Sequence, residues 1–473
     1  MDVHRDFCEV AIMEADGRVR SAGRVASTFD ELTLFAGSLA PDDVVALEAS
    51  GAGLIAEIIE PHVAAVLVAN TRKLPQISKA KAKTDRLDAR TLARLAGPGF
   101  LETVWAPDER TRALRRLCAR REALVRARTR AKNEAHAVPA RNLCGRPPVS
   151  DSFGTKGRVW LAGLELPPDE RLTLDGCLRQ IDFLDGEIAA LEAALAVEAP
   201  GSPEILRLMT VPGVSLHTAA AFMAAVGDIR RFPSARQLVG YLGLDPRVRQ
   251  SGNGDARHGR ISKAGSSLAR GMLDEAAWSV AQTPGPLRAF FERIRARKGP
   301  QVAATATARK LACLFWCLLT RQEDYAYARP SMTRAKVRQL ELAAGAPRRK
   351  GVRGIAGNKN AKTQEAEREL ARQAESAYRR TIADWTTAGP VRKGAGVTPG
   401  RASSRPSRGK AAIDTIANES ADRHLTFIRR SRASTLPGRS HRARRRVRRP
   451  RSPRRRDSEA RAARRRSRGC SSR

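Results

Sequence analysis

The chain has 473 residues, 42% of them hydrophobic, enough for two or three domains with ordinary cores. Its 87 lysines and arginines against 49 acidic residues leave a formal charge of +38, which points to a polyanionic partner, nucleic acid first. Seven cysteines (Cys8, Cys118, Cys144, Cys177, Cys313, Cys317, Cys470), odd in number and without a Cys-x-x-Cys pair, speak against a disulfide framework or a zinc site and fit a reducing cytoplasm.

The first hundred residues alternate between α and β patterns. "FCEVAIMEADGRVRSAGRVAS" holds two apolar-rich runs around Asp16-Gly17, a hairpin signal. "FDELTLFAGSLA" predicts an amphipathic helix; "VVALEAS" and "AAVLVAN" predict short buried strands joined by the helix "GAGLIAEIIEPH". Strand, helix and strand at this spacing make a right-handed βαβ unit beside the hairpin.

After Trp105 the pattern turns helical. Apolar residues fall at Leu174, Leu178, Ile181, Leu184, Ile188, Leu191 and Leu195, the last five spaced three, four, three and four, which predicts a coiled-coil seam or a long helical hairpin. A basic helix from Arg112 to about Asn133 is its candidate antiparallel partner, and "RNLCGRPPVSDSFGTKG" between them reads as loop. Pro200 to Pro203 breaks the coil, and a helix-rich region follows to about Tyr325. It opens with "LMTVPGVSLHTAAAFMAAVGDI", whose Val-Pro-Gly-Val turn resembles a helix-hairpin-helix element with Gly213 as a phosphate contact; a plain helical turn fits the pattern equally well. The longest apolar run, "LACLFWCLL" from Leu311, is too short to span a bilayer, and no charged-then-apolar leader opens the chain, so no membrane partner is expected. Beyond 330 the chain is basic and polar, with one helical stretch near "TQEAERELARQAESAYRRTIADW". Residues 391–473 hold 27 basic and 5 acidic residues and few large apolar ones, so they are expected to be disordered. They serve either as an electrostatic tail for nucleic acid or as read-through sequence never selected to fold.

Four carboxylates carry chemical information. Asp2 opens the first strand and Glu48 closes "VVALEAS", while Asp85 and Asp88 in "KTDRLDARTLARL" lie three apart and share one face if helical. Together they would repel one another unless divalent cations intervene, and hard oxygen ligands favour Mg²⁺ or Mn²⁺. Singly each has a plainer reading: Asp88 pairing Arg90 or Arg94 on an exposed helix, Asp2 in a frayed terminus. The order hairpin with initial Asp, strand ending in Glu, late Asp-x-x-Asp helix is the layout of an RNase H-like nuclease fold.

"MDVHRDFCEVAI", "VALEASGAG", "KAKTDRLDARTLARLA", "LMTVPGVSLHTAAAF", "FPSARQLVGYLGLDP" and "GRISKAGSSLARGML" follow in an order that resembles the insertion-sequence-110 transposases, or bridge-RNA-guided recombinases, over about residues 1 to 325. The resemblance implies an α/β plus α architecture: a RuvC-like domain (1–105), basic helices and coiled coil (106–199), a helix-rich transposase domain with a serine loop (200–330), a basic helical extension (331–390) and a disordered Arg-rich tail (391–473). It also implies metal ligation by Asp2, Glu48, Asp85 and Asp88, a catalytic serine, and a bridge RNA that pairs with target and donor DNA. Family members carry several residues ahead of the first Asp, so a late start or a trimmed first strand is expected here.

"RQSGNGDARHGRISKAGSSLAR", Arg249 to Arg270, holds four serines and almost no apolar residue to anchor a strand, and reads as the nucleophile loop. Gly252 and Gly254 give backbone freedom beside Ser251, and Arg257, Arg260 and Lys263 can neutralise phosphate. Ser251 matches the family's serine position; Ser262 is the runner-up, and Asp255 stands where family loops carry a basic residue. Ser266 and Ser267 look like helix caps, and His258 reads more readily as a phosphate contact than as a base. Lys83 and Arg86 complete the candidate nucleic-acid contacts. The expected protein is a cytoplasmic, nucleoid-associated bacterial transposase, a dimer or tetramer through the coiled coil, acting on element ends and target DNA. A metal-dependent junction nuclease using water, and an inactive nucleic-acid-binding remnant, are the alternatives.

Overall fold

Strands β1 (Asp2–Val3), β2 (Phe7–Met13) and β3 (Val19–Ala26) form an antiparallel meander in a computed structural model that describes residues 1–49, 51–78, 84–252, 254–347 and 355–388. Lys83 and the tail 391–473 lie outside the described residues. The β2–β3 turn is the Asp16-Gly17 turn read from the sequence: Gly17 adopts φ +82° and the Asp16 carboxylate accepts from Arg18 N at 2.8 Å. Helix α1 (Phe29–Gly37) starts at Thr28, whose hydroxyl accepts from Glu31 N. Then come β4 (Val44–Glu48), α2 (Ala52–Ile59) and β5 (Ala65–Ala69), with β4 and β5 parallel and Glu48 opposite Ala69. Met1 joins the two sheets, its amino group donating to Ala46 O at 2.6 Å and its carbonyl accepting from Glu48 N at 3.2 Å. Burial pushes that amino group down to about 6. A short helix α3 (Pro75–Ser78) precedes α4 (Asp85–Ala96), which packs across β1, β2, β3 and β4.

The two long helices α5 (Glu109–Arg141) and α7 (Pro168–Glu198) form the helical hairpin. They are antiparallel, because the ion pairs Arg121–Glu192, Arg128–Asp185 and Arg141–Glu170 ascend one helix as they descend the other. The predicted seam is filled within one chain: Leu184 and Ile188 pack on Leu124, and Leu174 and Cys177 on Ala135 and Val138. The helical-hairpin reading with the basic helix as antiparallel partner therefore holds, while the seam is filled within the chain and is not itself the oligomer contact; the large apolar residues that α7 leaves exposed are Leu172, Phe183 and Val197. A second correction lies between them, where the expected loop, which ran to Gly157, gives way at Thr155 to a short helix α6 (Thr155–Ala162). Eight residues are too few to show a helical period, yet Leu161 is fully buried and a Cβ on Gly157 would lie 2.4 Å from Asp151 O.

Helices α8 (Pro203–Met209) and α9 (Leu216–Val226) flank the Val-Pro-Gly-Val turn, and α10 (Ala235–Tyr241) follows. Then come strands β6 (Pro246–Arg249) and β7 (Arg257–Ile261), and helices α11 (Ser267–Ala281), α12 (Pro286–Lys298), α13 (Pro300–Arg321), α14 (Pro330–Ala343) and α15 (Ile355–Ala388). Ser266 caps α11, its hydroxyl accepting from Ala269 N. The nine-residue apolar run from Leu311 belongs to the 22-residue α13, which is long and apolar enough to cross a membrane, contrary to the reading of the run alone. Here α13 is the core helix: Leu311, Ala312 and Phe315 are fully buried, and Phe315 meets Phe222 of α9 edge-on at 5.0 Å. Helix α15 docks through two glutamates. Glu375 accepts from Gly285 N and Arg288 at the start of α12, and Glu367 accepts from Ser331 N at the start of α14.

Candidate functional site

The site begins with the turn that follows β1. His4 N donates to Phe7 O at 2.9 Å and Ser27 Oγ donates to His4 O at 3.0 Å, which fixes the chain between β1 and β2. Asp2 stands opposite Glu9 in this pair, and both carboxylates are buried. His4, two residues beyond Asp2, returns to the same side, and its ring packs against Phe7 at 5.1 Å between centroids. Its Nε2 lies 3.0 Å from Asp2 Oδ2 and 3.3 Å from Asp85 Oδ1.

Asp85 arrives on α4. Thr84 caps that helix, accepting from Leu87 N at 3.3 Å, and the helix N-terminus favours the two carboxylates of its first turn, Asp85 and Asp88. One ligand atom each from Asp2, His4 and Asp85 falls within 4.8 Å of the others. Asp88 is buried one turn along α4, and Glu48, half-buried at the end of β4, accepts from Thr71 Oγ1 at 3.5 Å; neither belongs to that group of three. A buried carboxylate from a strand and a half-exposed one from a helix start, with an imidazole nitrogen between them, suit a divalent cation reached from solvent. Glu9 serves differently, binding Arg24 Nε at 2.9 Å, with Arg86 Nε 3.7 Å from its other oxygen. Arg86 thus leans toward Glu9, and Lys83 falls outside the described residues.

Ser251 stands elsewhere. The stretch read as a loop is a two-stranded ribbon, β6 paired with β7, with Ser251 exposed at its tip and Gly252 at φ +57°. Sequence reasoning missed these strands because no apolar face anchors them: Arg247, Val248, Arg249, Arg257, His258, Gly259 and Arg260 are all exposed. The ribbon is held at its base. Ser262 Oγ donates to Asp245 Oδ1 at 2.6 Å, Ser262 N to Asp245 O at 2.8 Å and Lys263 N to Gly243 O at 3.0 Å. Lys263 carries φ +57°, and a Cβ on Gly265 would sit 1.9 Å from Tyr241 O. Arg249 lies directly opposite Arg257, a like-charge pair that an anion would relieve. The ribbon's strands pack on each other rather than on β1, β4 or α4.

Gly213, at φ +83°, has its Cα against α11, where a Cβ would lie 2.8 Å from Val280 N, so packing alone requires glycine there. Beneath this turn Lys336 of α14 donates to the carbonyls of Met209, Val211 and Val214 at 2.7, 2.9 and 2.8 Å. Neither His4, Glu9 nor Lys336 was singled out from the sequence. His4 and Glu9 carried a signal, the alternation Asp-x-His on one strand face and a carboxylate opposite Asp2; Lys336 carried none.

Carboxylates at strand and helix ends, together with an arginine-lined ribbon, are the chemistry that enzymes working on nucleic acid use. Residues 1–138 match a family model described as a transposase, of the DEDD kind of IS110 elements, and residues 206–292 match the model for "Transposase IS116/IS110/IS902 family". The chain is 30% identical over 273 residues to transposase y4qE of Sinorhizobium fredii, covering 52% of this chain and 67% of that one. It is 29% identical over 249 residues to the transposase for insertion sequence element IS1111A of Coxiella burnetii (51% and 68%), and 27% identical over 246 residues to that for IS1328 of Yersinia enterocolitica (50% and 72%). The chain belongs to the IS116/IS110/IS902 family and is a DNA transposase, and its DEDD domain implies divalent-metal dependence.

Proposed function

We propose that this transposase cuts and rejoins the DNA of an insertion element through a covalent intermediate on Ser251. The observation that carries this reading is the contrast between two serines: Ser251 is exposed at the tip of an arginine-lined ribbon, whereas Ser262 is tied to Asp245 at its base. In the proposed step Ser251 Oγ bonds to the scissile phosphorus and gives up its proton, while the displaced strand oxygen leaves protonated. One phosphodiester bond becomes one phosphoserine bond, so a hydroxyl of a second strand can reverse the exchange without ATP. Arg247, Arg249, Arg257, Arg260 and Lys263 would hold the phosphates on either side, with Arg86 and Gly213 as further contacts.

Asp2, Glu48, Asp85 and Asp88 would hold Mg²⁺ or Mn²⁺, which when bound supplies positive charge at the reacting phosphate. We read the β1–β3 meander and the parallel pair β4–β5, joined through Met1 and crossed by α4, as a RuvC-like domain (1–105), followed by the helical hairpin (106–199), the serine-bearing helical domain (200–330) and the extension that ends in α15. A structured guide RNA would select the DNA by base pairing, with the basic face of α5 as a surface for its backbone. A homodimer or homotetramer would form through the outer face of α7.

The test incubates the full chain with element-end DNA, candidate RNA and Mg²⁺, then maps protein–DNA adducts by peptide mass spectrometry. An adduct on the Ser251 peptide, absent in Ser251→Ala, is the expected result. Nicking with hydrolysed ends and no adduct refutes the serine mechanism in favour of a water-using nuclease. Salt-sensitive binding without cleavage refutes it in favour of an inactive remnant.

A further inference from the structure

We propose that His4 is a direct ligand of the divalent cation, making the centre a mixed nitrogen–oxygen site rather than an all-carboxylate one. This rests on the metal reading of Asp2 and Asp85 given above. The argument starts from where the ring sits. His4 Nε2 approaches both carboxylates, 3.0 Å from Asp2 Oδ2 and 3.3 Å from Asp85 Oδ1, so one imidazole nitrogen occupies the space between the strand and the helix. An ion drawn to these two carboxylates would enter the same space and meet that nitrogen.

The ring is also held ready. The turn that carries it is closed by His4 N on Phe7 O and by Ser27 Oγ on His4 O, and the ring packs against Phe7. Little side-chain freedom is left to lose on ligation. Glu9 is not an alternative ligand, because Arg24 and Arg86 already face its two oxygens.

Imidazole changes which ions the site prefers. Carboxylate oxygens serve Mg²⁺ and Mn²⁺ alike, whereas a nitrogen donor raises affinity for Mn²⁺ and, more strongly, for Co²⁺ over Mg²⁺. His4→Ala should therefore raise the Kd for Co²⁺ at least about tenfold while changing that for Mg²⁺ less than about threefold.

The experiment titrates the full chain, its His4→Ala and Asp2→Asn variants with Co²⁺ followed by visible absorption, and with Mg²⁺ by competition. Pulsed electron paramagnetic resonance of the Mn²⁺-loaded wild-type chain provides a reading that needs no variant. Nitrogen coupling to Mn²⁺, lost in His4→Ala together with the selective fall in Co²⁺ affinity, supports ligation. Metal binding by the wild type without nitrogen coupling, or equal Co²⁺ affinity in His4→Ala, overturns the role of His4 and leaves the carboxylate site standing. No metal binding by the wild type, or binding unaffected by Asp2→Asn, overturns both.

Discussion

Lys336 permits the sharpest test of how the fold is held, because its ammonium is the single donor shared by three carbonyls of the α8–α9 turn, at 2.7, 2.9 and 2.8 Å. Burial pulls this amine down to about 8. Replacing it in Lys336→Met keeps most of the side-chain volume and removes the donor. Val211 O retains Val214 N at 3.2 Å, so Met209 O and Val214 O are the two carbonyls that lose their donor, both in buried residues. At about 1–3 kcal/mol for each buried unpaired group, partly offset by no longer burying a charge, the net loss is about 2 kcal/mol. A chain of several domains does not unfold in two states, so global denaturation is the wrong assay. Amide hydrogen exchange of α9 is the right one: about 2 kcal/mol predicts roughly 30-fold faster exchange there, with Arg334→Met on the exposed face of α14 as control. Equal protection in Lys336→Met and wild type would show that the carbonyls find other partners and refute the reasoning.

Other consequences follow from single contacts. His217 is pushed down from 6.5 to about 4 by burial and by the charge of Arg121, against the upward pull of Glu192, so the unfolded chain binds more protons between those values. Stability contributed by the neutral ring is present above pH about 6.5 and lost as pH falls toward 4, by ~3 kcal/mol over the window. His217→Gln should flatten that slope in α9 exchange measured at pH 7 and pH 5, and an unchanged slope would assign it to other groups. Arg249→Glu places opposite charges across the ribbon and should steady it by about 0.2–1 kcal/mol while lowering DNA affinity and reducing the salt slope by about 1. Fluorescence anisotropy at several salt concentrations checks this, and undiminished affinity would remove the ribbon from the DNA interface. Ser262→Ala loses its bond to Asp245, about 1.5–3 kcal/mol of local stability, yet should still form the DNA adduct that Ser251→Ala abolishes. The reverse pattern in adduct mapping would exchange the roles of the two serines.

Where a strand or a helix of more than two turns buries a face, the sequence disclosed it, whereas the two-turn α6 was missed. The strands β4 and β5 and helix α2 were legible because Leu47, Val68 and Ile59 enter the core at the spacing each element requires. The seam of α7 was legible for the same reason, and the basic helix named as its antiparallel partner is α5 of the same chain. The ribbon was not legible, since only its ends, Pro246 and Ile261, are part-buried and its shape depends on a clasp made by Gly243, Asp245, Ser262 and Gly265 at the base. The carboxylates were chosen by their positions at element ends; the approach of Asp85 to Asp2 depends on how α4 crosses β1, which only tertiary packing fixes. His4 was overlooked because an isolated histidine has many plainer uses, and only the convergence of two carboxylates on its Nε2 gives it a chemical one. Lys336 lies 122 residues or more from each of its acceptors, beyond the reach of any local pattern.

Helix α9 joins these separate features. At its start the Val-Pro-Gly-Val turn is clasped from below by Lys336; at its end the carbonyls of Ala224, Ala225 and Val226 accept from Arg115, Tyr241 and Arg231. Cations at a helix C-terminus are electrostatically favoured, and here two of them also face Trp105, Arg231 at 3.6 Å and Arg115 at 5.2 Å from the ring centroid. Gly227 makes room for that ring, since a Cβ would lie 2.2 Å from it. Trp105 follows directly on the strand-like contact of Thr103 with Ala69, and Arg115 belongs to α5, so the α/β region, the helical hairpin and the helix-rich region meet at one aromatic side chain. Between the two helical regions the joint continues as an apolar face, with Cys118 of α5 and Leu195 and Ala196 of α7 buried in one core with Phe222 of α9 and Phe315 of α13. Such a joint fixes the direction in which α5 leaves the carboxylate domain, while the arginines of the ribbon, Arg247, Arg249, Arg257 and Arg260, stand exposed.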